Sequence, residues 1–121
     1  MVEPVFDRFG RVVAWRRRER LFDRDGRAVA FIWDRAVFRY DGAWVGWLLD
    51  KYYWTKDGLA VACERGAGGG PQPPTSYEPL RPPVLEAGPP LPTPEAAPSP
   101  PRLRTRRWAE RSWDEFLDGR A

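Results

Sequence analysis

The chain has 121 residues, of which 14 are proline and 11 glycine, so the part able to pack a core is shorter than the whole. Twenty basic residues, all but two of them arginine, against 17 acids leave a net charge of +3, too slight an excess to mark a nucleic-acid protein by composition. One cysteine, Cys63, excludes an internal disulfide framework, and no window approaches the roughly 18 apolar residues of a membrane helix. A protein of a reducing cytoplasm is expected, and the arginine, alanine and proline bias is that of a high-GC bacterial genome.

From the N-terminus onward one phrase recurs, "FDRFGRVVAW", "FDRDGRAVAF", "FRYDGAWVGW" and then "WTKDGLAVAC". Phe6, Phe22, Phe38 and Trp54 stand 16 residues apart, and so do Gly10, Gly26, Gly42 and Gly58. The columns Val13/Val29/Val45/Val61, Ala14/Ala30/Gly46/Ala62 and Trp15/Phe31/Trp47/Cys63 keep the same period, an architectural signal internal to the chain.

Each copy reads as a β-hairpin. The glycine follows Asp25, Asp41 or Asp57 in three copies and Phe9 in the first, and an Asp-Gly pair between apolar runs marks a tight turn in which positive φ is tolerated. The run after each glycine is rich in β-branched and aromatic residues. Polar clusters at residues 16–19, 33–35 and 49–51 supply a second kind of turn, which makes eight short strands. Alternation is expected to put valine and the aromatic two residues later on one face and the small Ala/Gly column on the other, at a crowded axis. An open row of hairpins leaves two exposed edges, so the predicted fold is all-β: four hairpin repeats closed about a pseudo-fourfold axis as a small shallow barrel.

Over residues 5–64 these features resemble the four-fold β-flower family, in which hairpins of the type F-D-R-D-G-R-x-V-A-F stand as petals about an axis. Phe9, in place of the turn acid, and Cys63, in place of the last aromatic, depart from that pattern. The family has no assigned activity, so the resemblance implies a fold and no catalytic residue. Tyrosine-aspartate toxin repeats, choline-binding repeats and membrane-occupation repeats run nearer 20 residues and fit less well.

Residues 1–66 are therefore expected to be a self-sufficient repeat domain. Residues 67–101, dominated by Pro, Gly and Ala, read as a disordered, semi-rigid linker. Residues 102–121 read as a basic-aromatic segment in which Ser112 and Glu115 have capping-box spacing for a short helix over 113–118.

Without histidine, and with serines only at 76, 99 and 112, Ser-His-Asp and Cys-His catalysis and histidine-bearing zinc sites are excluded within one chain. No enzyme, cofactor or metal is expected; turn formation accounts for the repeat acids, and burial for Cys63. A non-enzymatic interaction or scaffold module is expected, its unknown protein partner held by Arg104, Arg106, Arg107, Trp108, Trp113, Phe116 and Leu117 on a tether. The alternative is an anionic lipid or nucleic-acid surface met by that tail and the Arg16–Arg20 loop. The glycines 10, 26, 42 and 58 are expected to be structural, and a monomer is the default.

Overall fold

The computed structural model describes residues 1–94, 98–100 and 104–119. Eight antiparallel strands close on themselves in sequence order: β1 (Glu3–Phe6), β2 (Val12–Arg17), β3 (Arg20–Phe22), β4 (Ala28–Trp33), β5 (Ala36–Phe38), β6 (Trp44–Leu49), β7 (Tyr52–Trp54) and β8 (Ala60–Cys63). The ring is completed by Phe6 of β1 pairing with Cys63 of β8, so no strand edge is left open. Among the described residues one helix, α1 (Trp113–Leu117), follows far downstream.

Two turn types alternate around the ring, one at each end. At one end, Asp7 N–H bonds Arg11 O at 2.9 Å and Gly10 N–H bonds Asp7 O at 3.0 Å, and the same pair of bonds recurs at Asp23, Arg39 and Thr55. This is a three-residue loop closed by a left-handed residue, and Gly10, Gly26, Gly42 and Gly58 supply it with φ of 81°, 96°, 91° and 83°. The acid before the glycine is not left-handed. In the first two hairpins the carboxylate that fixes the turn stands earlier: Asp7 accepts from Phe9 and Arg11 N–H at 2.9 and 3.0 Å, and Asp23 does the same for Asp25 and Arg27, whereas in the third Asp41, directly before the glycine, accepts the Ala43 N–H at 3.0 Å. At the other end, Asp34 and Arg35, then Asp50 and Lys51, make two-residue turns with positive φ at both positions, without any glycine.

The expected facing of valine is overturned by a bulge. Val5 pairs with Ala14 while Phe6 pairs with Val12, so Val13 is the extra residue, and the same shift recurs in each hairpin. The bulge resets the alternation and turns Val13, Val29, Val45 and Val61 to the side of the Ala/Gly column.

Two apolar clusters result. Val5, Leu21, Val37 and Tyr53 face Ala14, Ala30, Gly46 and Ala62 across the strands and pack into one inner cluster. Phe6, Trp15, Phe22, Phe31, Phe38, Trp47 and Trp54 lie on the outer face with Cys63. Phe9 and Trp33, by contrast, are exposed.

Residues 67–94 contain no strand or helix, in keeping with their prolines, yet they are not a free tether. Tyr77, Leu85 and Leu91 pack on the outer aromatic cluster, as does Trp108 further on. The described parts of this belt meet the barrel in circular order. Tyr52 hydroxyl bonds Pro71 O; Glu78 and Glu86 reach the first and second hairpins; Arg20 bonds Pro89 O at 2.7 Å; Trp47 indole N–H bonds Pro98 O at 3.3 Å; and Thr105 N–H bonds Gly58 O at 3.0 Å. Trp108 then donates to Gln72 O at 3.1 Å, so the belt's end meets its beginning. A ring of exposed aromatics is costly in water, and the belt covers it.

Candidate interaction surface

The tail residues expected to recognise a partner are largely spent on the barrel itself. Ser112 Oγ accepts from Glu115 N–H at 3.2 Å and the Glu115 carboxylate accepts from Ser112 N–H at 3.1 Å, the capping box that the spacing predicted. The helix so started sets Trp113 and Phe116 into the inner cluster, with Phe116 fully buried and Leu117 packed beside them. Trp113 stands edge-on to Tyr53 at 5.1 Å between ring centroids.

Upstream, Trp108 makes a parallel bridge with Ala60, and Arg107 O accepts the Ala60 N–H at 3.3 Å. Arg104 lies over the Trp54 ring and 3.6 Å from Asp50, while Arg106 borders a surface cavity beside Tyr52 and Gly70. Arg102 and Leu103, at the start of the segment, and positions 120–121 lie outside the described residues, as do 95–97 and 101 of the expected linker.

The Arg16–Arg20 loop is likewise not a solvated basic run. Arg16 points to the inner end of the barrel, where Nε and Nη2 meet the Glu64 carboxylate at 2.6 and 2.9 Å. Tyr53 hydroxyl donates to the same carboxylate at 2.7 Å, so its ring spans the core from Trp113 to this ion pair. Burial and the adjacent carboxylate hold the Tyr53 phenol protonated well above its usual range, and the Glu64 hydrogen bond raises Arg16. Arg17 lies over Phe22, and Arg20 bonds the Tyr40 hydroxyl at 3.1 Å.

What remains exposed is a feature noticed in the sequence only as a departure from the repeat. Phe9 occupies the turn position held by Asp25, Asp41 and Asp57 elsewhere, and is 62% exposed. The guanidinium carbons of Arg8 and Arg11 stand 4.8 and 5.1 Å from its ring centroid. Beside it a cleft of about 160 Å³ runs between the first hairpin and the segment before α1, with Val61 at its base and Arg111 and Glu110 on the far wall. Asp7 pairs with Arg11 at 2.8 Å, and Arg8 and Arg111 also line the cleft.

Cys63 is fully buried, and its thiol is pushed up to about 12, first by desolvation and then by the charges of Asp7 and Glu64, which is the state of an inert packing group. Among the described residues no group of three or more His, Cys, Asp or Glu is placed to hold a metal ion, and no helix is long and apolar enough to cross a membrane.

The description of the 4-fold beta flower protein family matches residues 3–117. The chain belongs to that family. The β-flower match runs far past the four repeats, through the belt and the helix, in agreement with belt and helix being packed parts of one β-flower unit. No curated protein and no solved structure matches the chain.

Proposed function

We propose that this β-flower protein is a non-enzymatic interaction module, acting in the bacterial cytoplasm, that engages a protein partner through the tip of its first hairpin. The observation that carries this reading is Phe9. Three hairpins place an acid before the turn glycine, and two of those acids serve the turn itself, Asp41 by accepting the Ala43 N–H and pairing with Arg39, and Asp57 by accepting the Thr55 hydroxyl. The first places a large exposed aromatic there, flanked by two guanidinium groups and opening on a cleft. Aromatic and arginine side chains are the residue types that dominate binding energy at interfaces, and a cleft of this size takes one partner side chain.

The experiment replaces Phe9→Asp, which restores the acid that the other three hairpins use. Stability is expected to be unchanged or raised, while capture of a partner from an extract of the source cells is lost. Equal capture by the wild type and by Phe9→Asp overturns the reading.

A second reading, an anionic lipid or nucleic-acid surface, draws on Arg8 and Arg111 beside the cleft together with Arg106. Salt separates the two, because phosphate contacts lose affinity steeply as salt rises whereas aromatic docking does not. Binding to anionic vesicles or to an oligonucleotide that is lost in high salt and kept by Phe9→Asp supports the second reading.

A further inference from the structure

The belt is held at the hairpin tips by one repeated device. Each bulge leaves a backbone N–H that the strand partner does not take, and each turn glycine presents a carbonyl. On the first hairpin, Glu78 accepts the Val12 N–H on its carboxylate at 2.8 Å and donates its own N–H to Gly10 O at 2.7 Å. On the second, Glu86 accepts the Ala28 N–H at 2.6 Å and donates to Gly26 O at 2.9 Å. On the fourth, Thr105 N–H meets Gly58 O, and Arg107 O takes the Ala60 N–H.

Glu78 and Glu86 are eight residues apart along the belt. The first two seats therefore each read a glutamate with its own N–H, whichever chain supplies it.

We propose that the belt exchanges between two copies of this chain, with the belt of one seated on the hairpin tips and outer aromatics of the other. Residues 71–94 of the belt form no strand or helix, so their course is set by the surface they lie on. Its root is a hinge of glycines: four of the five residues 66–70 are glycine, and a β-carbon on Gly68 would meet no described atom within 4 Å. An exchanged pair keeps the seats at Val12 and Ala28 and remakes the root, where Gly68 N–H bonds Asp50 O at 3.2 Å and Gly70 packs against Tyr52 and Trp54, so the two forms differ chiefly in the root and in concentration. The short hinge must carry the chain past the Asp50–Lys51 turn to Pro71, which is tied to Tyr52 of the same barrel. This goes beyond the proposed role of Phe9, because the seats at Val12 and Ala28 belong to the outer rim and not to the cleft.

The test shortens the hinge in the full chain. Removing Gly68, Gly69 and Gly70 takes away about 10 Å of reach, which prevents the belt from seating on its own barrel and leaves a second barrel open to it. The expected result is a doubled mass by light scattering at micromolar concentration, returning to the monomer value when Glu78→Ala and Glu86→Ala are added. A shortened chain that stays monomeric with native near-ultraviolet circular dichroism, or a dimer that survives both replacements, overturns the proposal.

Should the shortened chain not fold, the decision passes to the unaltered protein and a labelled synthetic peptide of residues 71–94. Binding is expected, and the loss of two charge-assisted bonds in a peptide carrying Glu78→Gln and Glu86→Gln is expected to weaken it at least about tenfold. No binding, or equal binding of both peptides, overturns it.

Discussion

The ring of Phe116 and the carbonyl of Trp54 occupy the space that a side chain on Gly46 would need: a β-carbon built there would stand 2.1 Å from Trp54 O and 2.7 Å from Phe116 Cε1. The other three copies carry Ala14, Ala30 and Ala62 at this position, so the one glycine in the column is where the helix enters the inner core. Gly46→Ala is expected to cost about 1 to 3 kcal/mol by overpacking, and Phe116→Ala about 3 to 5 by leaving a cavity. Urea denaturation of both single variants and the double should give a double-variant loss clearly smaller than the sum, since Gly46→Ala fills part of the space that Phe116→Ala empties. Strict additivity would mean that the Trp54 carbonyl, and not the Phe116 ring, sets the cost at Gly46.

The belt is expected to be part of the cooperative unit. A chain ending at Gly66 exposes the outer ring of Phe6, Phe31, Trp47 and Trp54 and strands the amides of Val12 and Ala28. It should bind a hydrophobic dye and melt broadly, where the full chain melts sharply. In the full chain, Glu78→Gln and Glu86→Gln should each lower stability by up to about 1 kcal/mol, the difference between a charged and a neutral acceptor on a part-buried and an exposed amide. A fragment with the melting profile of the full chain would show the belt to be dispensable.

The two turn types respond oppositely to glycine. Asp34 and Arg35 have φ of 46° and 69°, and Asp50 and Lys51 have 51° and 68°, a conformation that costs an L-residue on the order of 1 kcal/mol and suits Asp-Gly. Arg35→Gly and Lys51→Gly are expected to raise stability by up to about 1 kcal/mol each. At the other end of the barrel Gly42, with φ 91°, is already optimal, and Gly42→Val should cost about 1 to 3 kcal/mol. Thermal melts of the three variants give the signs directly.

Cys63 and Tyr53 make the fold sensitive to alkali. Both groups are held protonated in the folded state above their ordinary values of 9.0 and 10.0, by burial first and by nearby negative charge second. Between pH 9 and about 12 the unfolded thiol ionises while the folded one does not, so the unfolded state binds fewer protons and stability falls as pH rises. Cys63→Ala should flatten the thiol's part of that decline and leave the part due to Tyr53. At pH 8 the thiol of the native protein should react with an alkylating reagent only at the rate of unfolding, and rapid labelling would contradict its burial.

The repeat itself was open to reading in one chain. A 16-residue period carries the turn glycine, the small column and the aromatic column together, and closure follows because short hairpins in a row leave edges that water penalises. The capping box at Ser112 and Glu115 was legible for the same reason: its partners are three residues apart. Local spacing determines local hydrogen bonds.

The facing of Val13 and its equivalents was not legible, because a bulge adds one residue to one strand of a pair, and nothing in the strand alone records what its partner does. Long-range placement escaped for a related reason. Glu78 and Glu86 differ from any other acids in a proline-rich stretch only by what they meet, the amides of Val12 and Ala28, 66 and 58 residues away. Trp113 and Phe116 have the spacing of an apolar helix face, which fits a partner's groove and the chain's own barrel equally well; the vacancy that settles it is the missing methyl of Gly46, whose nearest ring belongs to Phe116. Composition and period fixed which residues are apolar and how often they recur. Only the closed barrel, by creating an outer aromatic ring and an inner vacancy that solvent cannot be left to cover, decided that the proline-rich segment is a belt and the tail a plug.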